Sequence, residues 1–369
     1  MSAKIISLFN HKGGVSKTTT AFHLGWKMAQ LGKKVLIVDA DPQCNLTGLT
    51  LSIGDYDELQ NFYEAKKNTN IFDAISFIFG LDKERSSGVI EAAKPTATQN
   101  ENLFLLAGSI DFAKIDILIA TAITSSGGLP MLRNLIGAVH ELLKKTGDRH
   151  GFDIILVDMS PSISATNMSL LMGSDYFIIP TSPDFYCYQA IKSLTGVLPE
   201  WSEKMRGFKD GVVLPRENPK MLGIISQNYR VYSAPKKQEE NTDTTTQRPM
   251  SAAFREWAKK IENITNSELV PSLRASKMVI EEDLFRRSVL NHTPYNLAHI
   301  PDFNVLLPTS QNKSKPIYEL TQEDGEWQGS VWSRQQNGRT VGVSENIKEA
   351  NHIYESFAQS VISMVSPNS

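Results

Sequence analysis

The sequence predicts an α/β fold, doubly wound, with a mainly parallel sheet flanked by helices, and three observations predict it. Apolar runs of strand length alternate with amphipathic stretches of helix length, several strand runs are nearly unbroken Ile, Leu and Val, and a glycine-containing turn joins the first strand to the first helix. Ile5 to Phe9 opens the chain as a strand, a helix is expected from about Lys17 to Gln30, and Val35 to Val38 forms the next strand, which makes a βαβ unit. Further buried strands are expected at Leu103 to Leu106, Ile154 to Val157, Tyr176 to Ile179 and Met221 to Ile225. Helical patterns fall between them at about 111 to 122, 131 to 145, 164 to 172 and 186 to 195. From Asn346 to Val365 the apolar residues return at helical spacing with only Lys348 as a basic residue, so this helix is expected to pack on the core rather than lie on a membrane surface.

One domain is expected over 1–369, with insertions at about 51–70, 230–275 and 311–344 and the packing helix at about 346–365. Residues 230 to 251 are polar and read as a surface loop, and Asn337-Gly338 suits a tight hairpin turn. Lys and Arg number 38 against 40 Asp and Glu, so the net charge of -2 offers no global pull on nucleic acid, and any such contact needs a local patch. Cys44 and Cys187 stand far apart without a CxxC spacing, which argues against a disulfide framework, a zinc site or a self-contained iron-sulfur cluster. The first residues lack a long apolar core and no run approaches 18 uncharged apolar residues, so a cytoplasmic protein is expected, with no membrane partner.

Residues 10 to 20 read NHKGGVSKTTT. A strand, a glycine turn and a helix opening with Lys-Thr is a phosphate cradle, because backbone N–H groups and the helix N-terminus meet the anion while a lysine neutralises it. Spacing puts Lys17 at the β and γ phosphates, the Thr18 hydroxyl at a Mg²⁺ position and Thr19 near the α phosphate, with Gly13, Gly14, Val15 and Ser16 supplying backbone. The ordinary GxxxxGK[ST] pattern fails, since His11 and Ser16 occupy its two glycine positions, and KGGxxKT remains.

That remainder resembles the deviant Walker A motif of the ParA/MinD family of ATPases, closest to the ParA type. The resemblance implies that Lys12 reaches across a dimer interface to the partner's nucleotide, so that two ATP molecules lie between two subunits. VLIVDADPQCN is similar to the family's DxDPQxN switch sequence, which implies that Asp41 orients the attacking water and contacts the Mg²⁺ shell while Asp39 supports it. IILVDMSPS ends an apolar strand in Asp158, at the position whose carboxylate holds Mg²⁺ through water, with Ser160 replacing a family proline. IPTSPDFYCYQA resembles the segment that faces the partner subunit, although its aromatics would serve equally as core. Gln227 and Asn228 follow a strand where the family commonly reads adenine, with the choice between them open, and Asp302 stands where the family commonly has arginine.

The implied activity is ATP hydrolysis that is weak unless a partner stimulates it, with ATP and Mg²⁺ as cofactors. The implied assembly is an ATP-dependent homodimer with a ParB-like or adaptor protein and nonspecific DNA as partners. Residues 201 to 237 carry Lys204, Arg206, Lys209, Arg216, Lys220, Arg230, Lys236 and Lys237 against Glu203, Asp210 and Glu217, a local excess of five positive charges that would serve phosphate contacts if they share a face. Competing readings are a MinD-like membrane-cycling ATPase, a regulator of a non-DNA cargo, and a reductase of the nitrogenase iron-protein type, which the two isolated cysteines disfavour. No helix-turn-helix region is expected ahead of the loop at residue 10.

Overall fold

The computed structural model describes residues 2–53, 55–65, 70–82, 88–125, 132–230, 250–289, 293–336 and 339–366. Its main sheet has the strands β1 (Lys4–Leu8), β2 (Val35–Ala40), β3 (Thr96–Ala97), β4 (Leu103–Leu106), β5 (Ile154–Met159), β6 (Tyr176–Thr181), β7 (Lys220–Tyr229) and β8 (Asn296–Pro301). Their spatial order is β3-β4-β2-β5-β1-β6-β7-β8. All neighbours run parallel except the short edge pair β3 and β4. Every residue of β2 and β5 is buried, as unbroken apolar strands require when helices cover both faces of a sheet.

The helices are α1 (Lys17–Gln30), α2 (Asn45–Leu51), α3 (Tyr56–Ala65), α4 (Ile71–Ile75), α5 (Ile115–Ser125), α6 (Arg133–His150) and α7 (Ala165–Met172), followed by α8 (Phe185–Met205) and α9 (Ala252–Ile264). After them come α10 (Val270–Ala275), α11 (Glu282–Ser288), α12 (Leu306–Lys313), α13 (Gly329–Trp332) and α14 (Val343–Val365). A π-helical turn over Thr265–Leu269 joins α9 to α10, and a small hairpin of β9 (Arg334–Gln336) and β10 (Arg339–Val341) stands outside the main sheet. Asn337 and Gly338, expected to turn that hairpin, lie outside the described residues, as do Lys236, Lys237 and the rest of 231–249.

Helix α8 and strand β8 depart from the sequence expectation for identifiable reasons. Helix α8 continues through Pro199, which has no N–H to give the carbonyl of Thr195; the hydroxyl of Ser272 in α10 donates to that carbonyl at 2.7 Å instead. Strand β8 was not foreseen because Asn296 and His299 interrupt its apolar run, yet Asn296 Nδ2 donates to Glu262 of α9 at 2.6 Å, so its side-chain amide is accommodated at the sheet edge. The C-terminal α14 lays its apolar face on α1, where His23 stacks on Tyr354 at 5.0 Å and the hydroxyl of Tyr318 donates to the His23 carbonyl.

Connections on both sides of β1 bring the C-terminal ends of β1, β2 and β5 together. In an open parallel sheet this reversal of winding is the place where a ligand crevice forms.

Candidate active site

The loop after β1 is set by Asn10, whose Nδ2 donates to the Pro180 carbonyl at 2.8 Å and whose Oδ1 accepts the Lys12 N–H at 3.0 Å. Gly14 takes a φ of 71°, and Ser16 follows in the left-handed region with φ 55° and ψ 35°. A residue with a Cβ held there costs about 1 kcal/mol. The first helical bond of α1 runs from Thr20 N to the Ser16 carbonyl at 2.9 Å, so the N–H groups of Lys17, Thr18 and Thr19 lie ahead of the hydrogen-bonded ladder at the positive end of the helix dipole. No acidic residue occupies that first turn. Lys17 is 7% exposed, and its Nζ donates to the carbonyls of Asn10 at 3.1 Å and Lys12 at 3.4 Å. Burial pushes its pKa down against the pull of Asp158 and Asp41.

Parallel register places the carboxylates beside this loop: Asp39 on β2 pairs with Asp158 on β5, and Asp158 also pairs with Leu8 on β1. Asp39 is fully buried and accepts from Thr47 N at 2.8 Å, from the Thr47 hydroxyl at 2.7 Å and from Asp41 N at 3.3 Å. Gly108, after β4, leaves it room, because a Cβ there would stand 2.9 Å from Asp39 Cγ. Burial pushes the Asp39 carboxyl up to about 6 in spite of those donors. Asp41 is 8% exposed and accepts from Gln43 N at 3.0 Å.

Asp158 Oδ2 accepts from the Thr18 hydroxyl at 2.6 Å, while its buried Oδ1 has no hydrogen-bond partner. Burial, and then the nearby Asp39, hold this carboxyl well above the usual range. A buried carboxylate oxygen with no donor beside a hydroxyl is suited to a cation. Among the described residues no group of three or more His, Cys, Asp or Glu side chains could hold a metal ion. The donor set therefore fits a hard ion that takes one or two protein ligands and completes its shell with water and phosphate oxygens, as Mg²⁺ does. The following segment is held by Asn167, whose Nδ2 donates to the carbonyls of Ser160 at 2.9 Å and Ser162 at 2.8 Å.

Lys12 lies apart from Lys17. Its Nζ stands 3.2 Å from Asp184, and the two side chains are 22% and 38% exposed. Asp184 caps α8 by accepting from Cys187 N at 2.9 Å. The aromatics next to it divide: Phe185 and Tyr186 are exposed, whereas Tyr188 is half-buried against the core. Phe185 also meets Trp257 of α9 at 5.9 Å, a neighbour that sequence spacing had no means of supplying.

Gln227 and Asn228 end β7 on the phosphate loop. Gln227 is 1% exposed and donates from Nε2 to the Val15 carbonyl, with its Oε1 3.1 Å from the Thr20 hydroxyl; Asn228 is exposed and donates to the Ser16 hydroxyl at 2.6 Å. A cavity of about 880 Å³ opens on Thr18 and Thr19 between α2 and the end of α12, lined also by Gln43, Asn45, Leu49 and Gln311. Across β8, Asp302 accepts the Asn304 N–H at 2.8 Å and leaves no arginine at that edge.

Within the basic run, Lys204 pairs with Glu200, Arg206 with Glu203 and Lys220 with Glu217, while Asp210 pairs with Arg133. Lys209 donates to the Glu217 carbonyl at 2.9 Å, and burial pushes its pKa down to about 8. Three of the six described cations of this run, Lys204, Arg206 and Lys220, are thus paired with glutamates.

A family model described as an AAA domain matches residues 3–207, more than half of the chain. The sporulation initiation inhibitor protein Soj of Bacillus subtilis is 30% identical over 192 residues, covering 52% of this chain and 63% of Soj. The chromosome-partitioning ATPase Soj of Thermus thermophilus is 28% identical over 201 residues, covering 53% and 61%. The chromosome partitioning protein ParA of Caulobacter vibrioides is 24% identical over 205 residues, covering 55% and 64%. The matched stretch thus spans less than two thirds of these relatives. Among solved structures, protein DIP2308 of Corynebacterium diphtheriae superposes with a TM-score of 0.62 at 18% identity over 99% of this chain and 100% of that one. A McdA–ATP complex from Cyanothece gives 0.53 at 17% identity over 95% and 97%. With KGGxxKT on its first loop, Asp39 at the end of its second strand, Asp41 just after it and this extended match, the chain belongs to the ParA/MinD family of AAA-domain ATPases.

Proposed function

We propose that this chain is a ParA-type ATPase that binds ATP and Mg²⁺ on the phosphate loop, dimerises in the ATP state, hydrolyses weakly until a ParB-like or adaptor protein stimulates it, and uses that cycle to position DNA or another cargo. One observation carries the nucleotide reading: the Thr18 hydroxyl bonded to Asp158, with the orphaned Asp158 Oδ1 beside it, at the N-terminus of a helix that begins with Lys17. When bound, Mg²⁺ supplies charge neutralisation at the β and γ phosphates. Lys17 leaves the carbonyls of Asn10 and Lys12 and turns its charge to the same oxygens, while Gly13, Gly14, Val15, Ser16 and Thr19 present backbone donors. Thr18 and Asp158 would hold Mg²⁺, and Asp41 would orient the attacking water. Asp39, bonded to both N–H and hydroxyl of Thr47, fixes the turn that carries Asp41. Lys12 exchanges Asp184 for the partner's nucleotide on dimerisation.

The names of the relatives, Soj and ParA among them, support DNA as cargo. The pairing of Lys204, Arg206 and Lys220 with glutamates leaves less charge for phosphates than the sequence count suggests, so DNA contact by one subunit is expected to be weak and to need the dimer. A MinD-like membrane cycle draws no support from α14, whose apolar face is covered by α1, and no helix of the described residues is long and apolar enough to cross a membrane. The test is phosphate release from ATP by the intact chain and by Lys17→Ala, with and without Mg²⁺ and duplex DNA. Turnover that needs Mg²⁺ and falls at least tenfold in the variant, in line with the loss of a charge-neutralising group, is expected. Turnover indifferent to Lys17 would overturn the reading, and DNA retention equal with ATP and ADP would remove the DNA arm.

A further inference from the structure

The end of β7 turns two side-chain amides onto the phosphate loop, 212 residues away in sequence. Gln227 Nε2 donates to the Val15 carbonyl, and Gln227 Oε1 lies 3.1 Å from the Thr20 hydroxyl, which itself lies 2.8 Å from the Ser16 carbonyl. Asn228 Nδ2 donates to Ser16 Oγ at 2.6 Å and reaches the Gly14 carbonyl at 3.5 Å. Asn228 itself has a φ of 60°, a conformation that asparagine tolerates better than most residues with a side chain. Ser16, with φ 55°, sits in the same region without glycine's freedom.

We propose that Gln227 and Asn228 are positioning residues for the phosphate loop, and that they are required because Ser16 carries a Cβ. The inference rests on the nucleotide reading above. In a planar trans peptide the C=O of one residue and the N–H of the next point in opposite directions. Tying the carbonyls of Gly14 and Val15 to β7 therefore turns the N–H groups of Val15 and Ser16 to the other side of the loop, toward the start of α1 where an anion is met. Releasing Ser16 lets it relax toward negative φ. That rotation swings a carbonyl into the cradle, where it would repel phosphate oxygens. Neither amide has to touch the nucleotide for this to act.

Asn228 is the residue to alter, since it is exposed and its loss leaves the core intact, whereas Gln227 is buried. Asn228→Gly keeps the positive φ and removes the amide. Its affinity for ADP and for ATP, read by titration with a fluorescent analogue of each, is expected to fall about fivefold to tenfold, the scale of one partly exposed hydrogen bond. KM should rise while turnover at saturation changes by less than about twofold, because the loop is misplaced before binding rather than in the reaction itself. The decisive variant is Asn228→Gly combined with Ser16→Gly: a glycine adopts the left-handed conformation unaided, so affinity should return to within about twofold of the parent. Thermal unfolding of each variant reports that the fold is kept. Unchanged affinity in Asn228→Gly overturns the proposal. So does a double variant that stays as weak as the single one. If the unaltered chain binds neither ADP nor ATP, the nucleotide reading itself fails and this proposal fails with it, an outcome distinct from the other two.

Discussion

At the residue scale the candidate site concentrates carboxyl groups that the fold keeps out of water. Asp158 is 1% exposed, lies beside Asp39, and accepts one bond from Thr18 while its other oxygen has none. Its carboxyl is held above the usual range by burial first and by Asp39 second. A raised native pKa means that the folded chain binds the proton more tightly than the unfolded chain, so stability falls as pH climbs from about 4 through the native value. Asp158→Asn removes that loss. The nucleotide-free variant should therefore melt a few degrees higher than the parent at pH 8, a gain on the order of 1 kcal/mol, and show a smaller gain at pH 5. Mg²⁺-dependent turnover should be lost at the same time, and calorimetry beside a phosphate assay reads both. A variant less stable than its parent at pH 8 would show that the carboxylate is a structural asset. Motif spacing names Asp158, Lys17 and Thr18, but it gives no sign that the Lys12 ammonium rests on Asp184 or that Ser16 is braced by Asn228, since both contacts join segments far apart in the chain.

At the scale of elements, the buried parallel strands are legible because both their faces are covered, which leaves little room for polar residues. Strand β8 is not legible, being an edge strand with Asn296 and His299 in its run, and α8 past Pro199 depends on a hydroxyl from α10. The seam between α1 and α14 holds a further titratable group. His23 Nδ1 is 2.8 Å from the Thr19 carbonyl and its Nε2 accepts the Ile317 N–H at 3.0 Å, which fixes the neutral ring with its proton on Nδ1. Tyr318, Tyr354 and, one turn along α1, Lys27 surround it, and burial pushes its pKa down from 6.5 to about 4. A depressed native pKa contributes stability that is full above 6.5 and lost as pH falls toward about 4. The loss amounts to about 3 kcal/mol at most, and it should loosen α14 from α1 first. His23→Leu should lower the melting temperature at pH 7, since it strands the Ile317 N–H, yet flatten its decline between pH 7 and pH 5. An unchanged slope would place the acid sensitivity elsewhere, for example at His299, which burial also pushes down to about 4.

For the molecule as a whole, the doubly wound topology is readable because its first, second and fifth strands each end in a motif that the register then brings side by side: KGGxxKT after β1, Asp39 in β2 with Asp41 just beyond it, Asp158 in β5. In the proposed dimer, the residues set to meet the second subunit are Lys12, Asp184 and the exposed Phe185 and Tyr186. The Lys12–Asp184 pair is partly exposed, and ion pairs of that kind contribute roughly 1 kcal/mol or less, so it holds Lys12 at the site's edge without committing it there. If the chain dimerises as proposed, a second subunit that offers a triphosphate would compete readily for that ammonium, because a phosphate carries more charge than a single carboxylate. Lys12→Ala should accordingly bind ATP nearly as well as the parent, since Lys17 and the helix N-terminus are untouched, and yet elute from a sizing column near 41.1 kDa where the parent with ATP elutes at about twice that mass. Asp41→Ala should instead slow hydrolysis without removing the lysine and so accumulate the dimer. If Lys12→Ala dimerises with ATP as the parent does, the second lysine has no role between subunits, and its pairing with Asp184 is merely a surface contact.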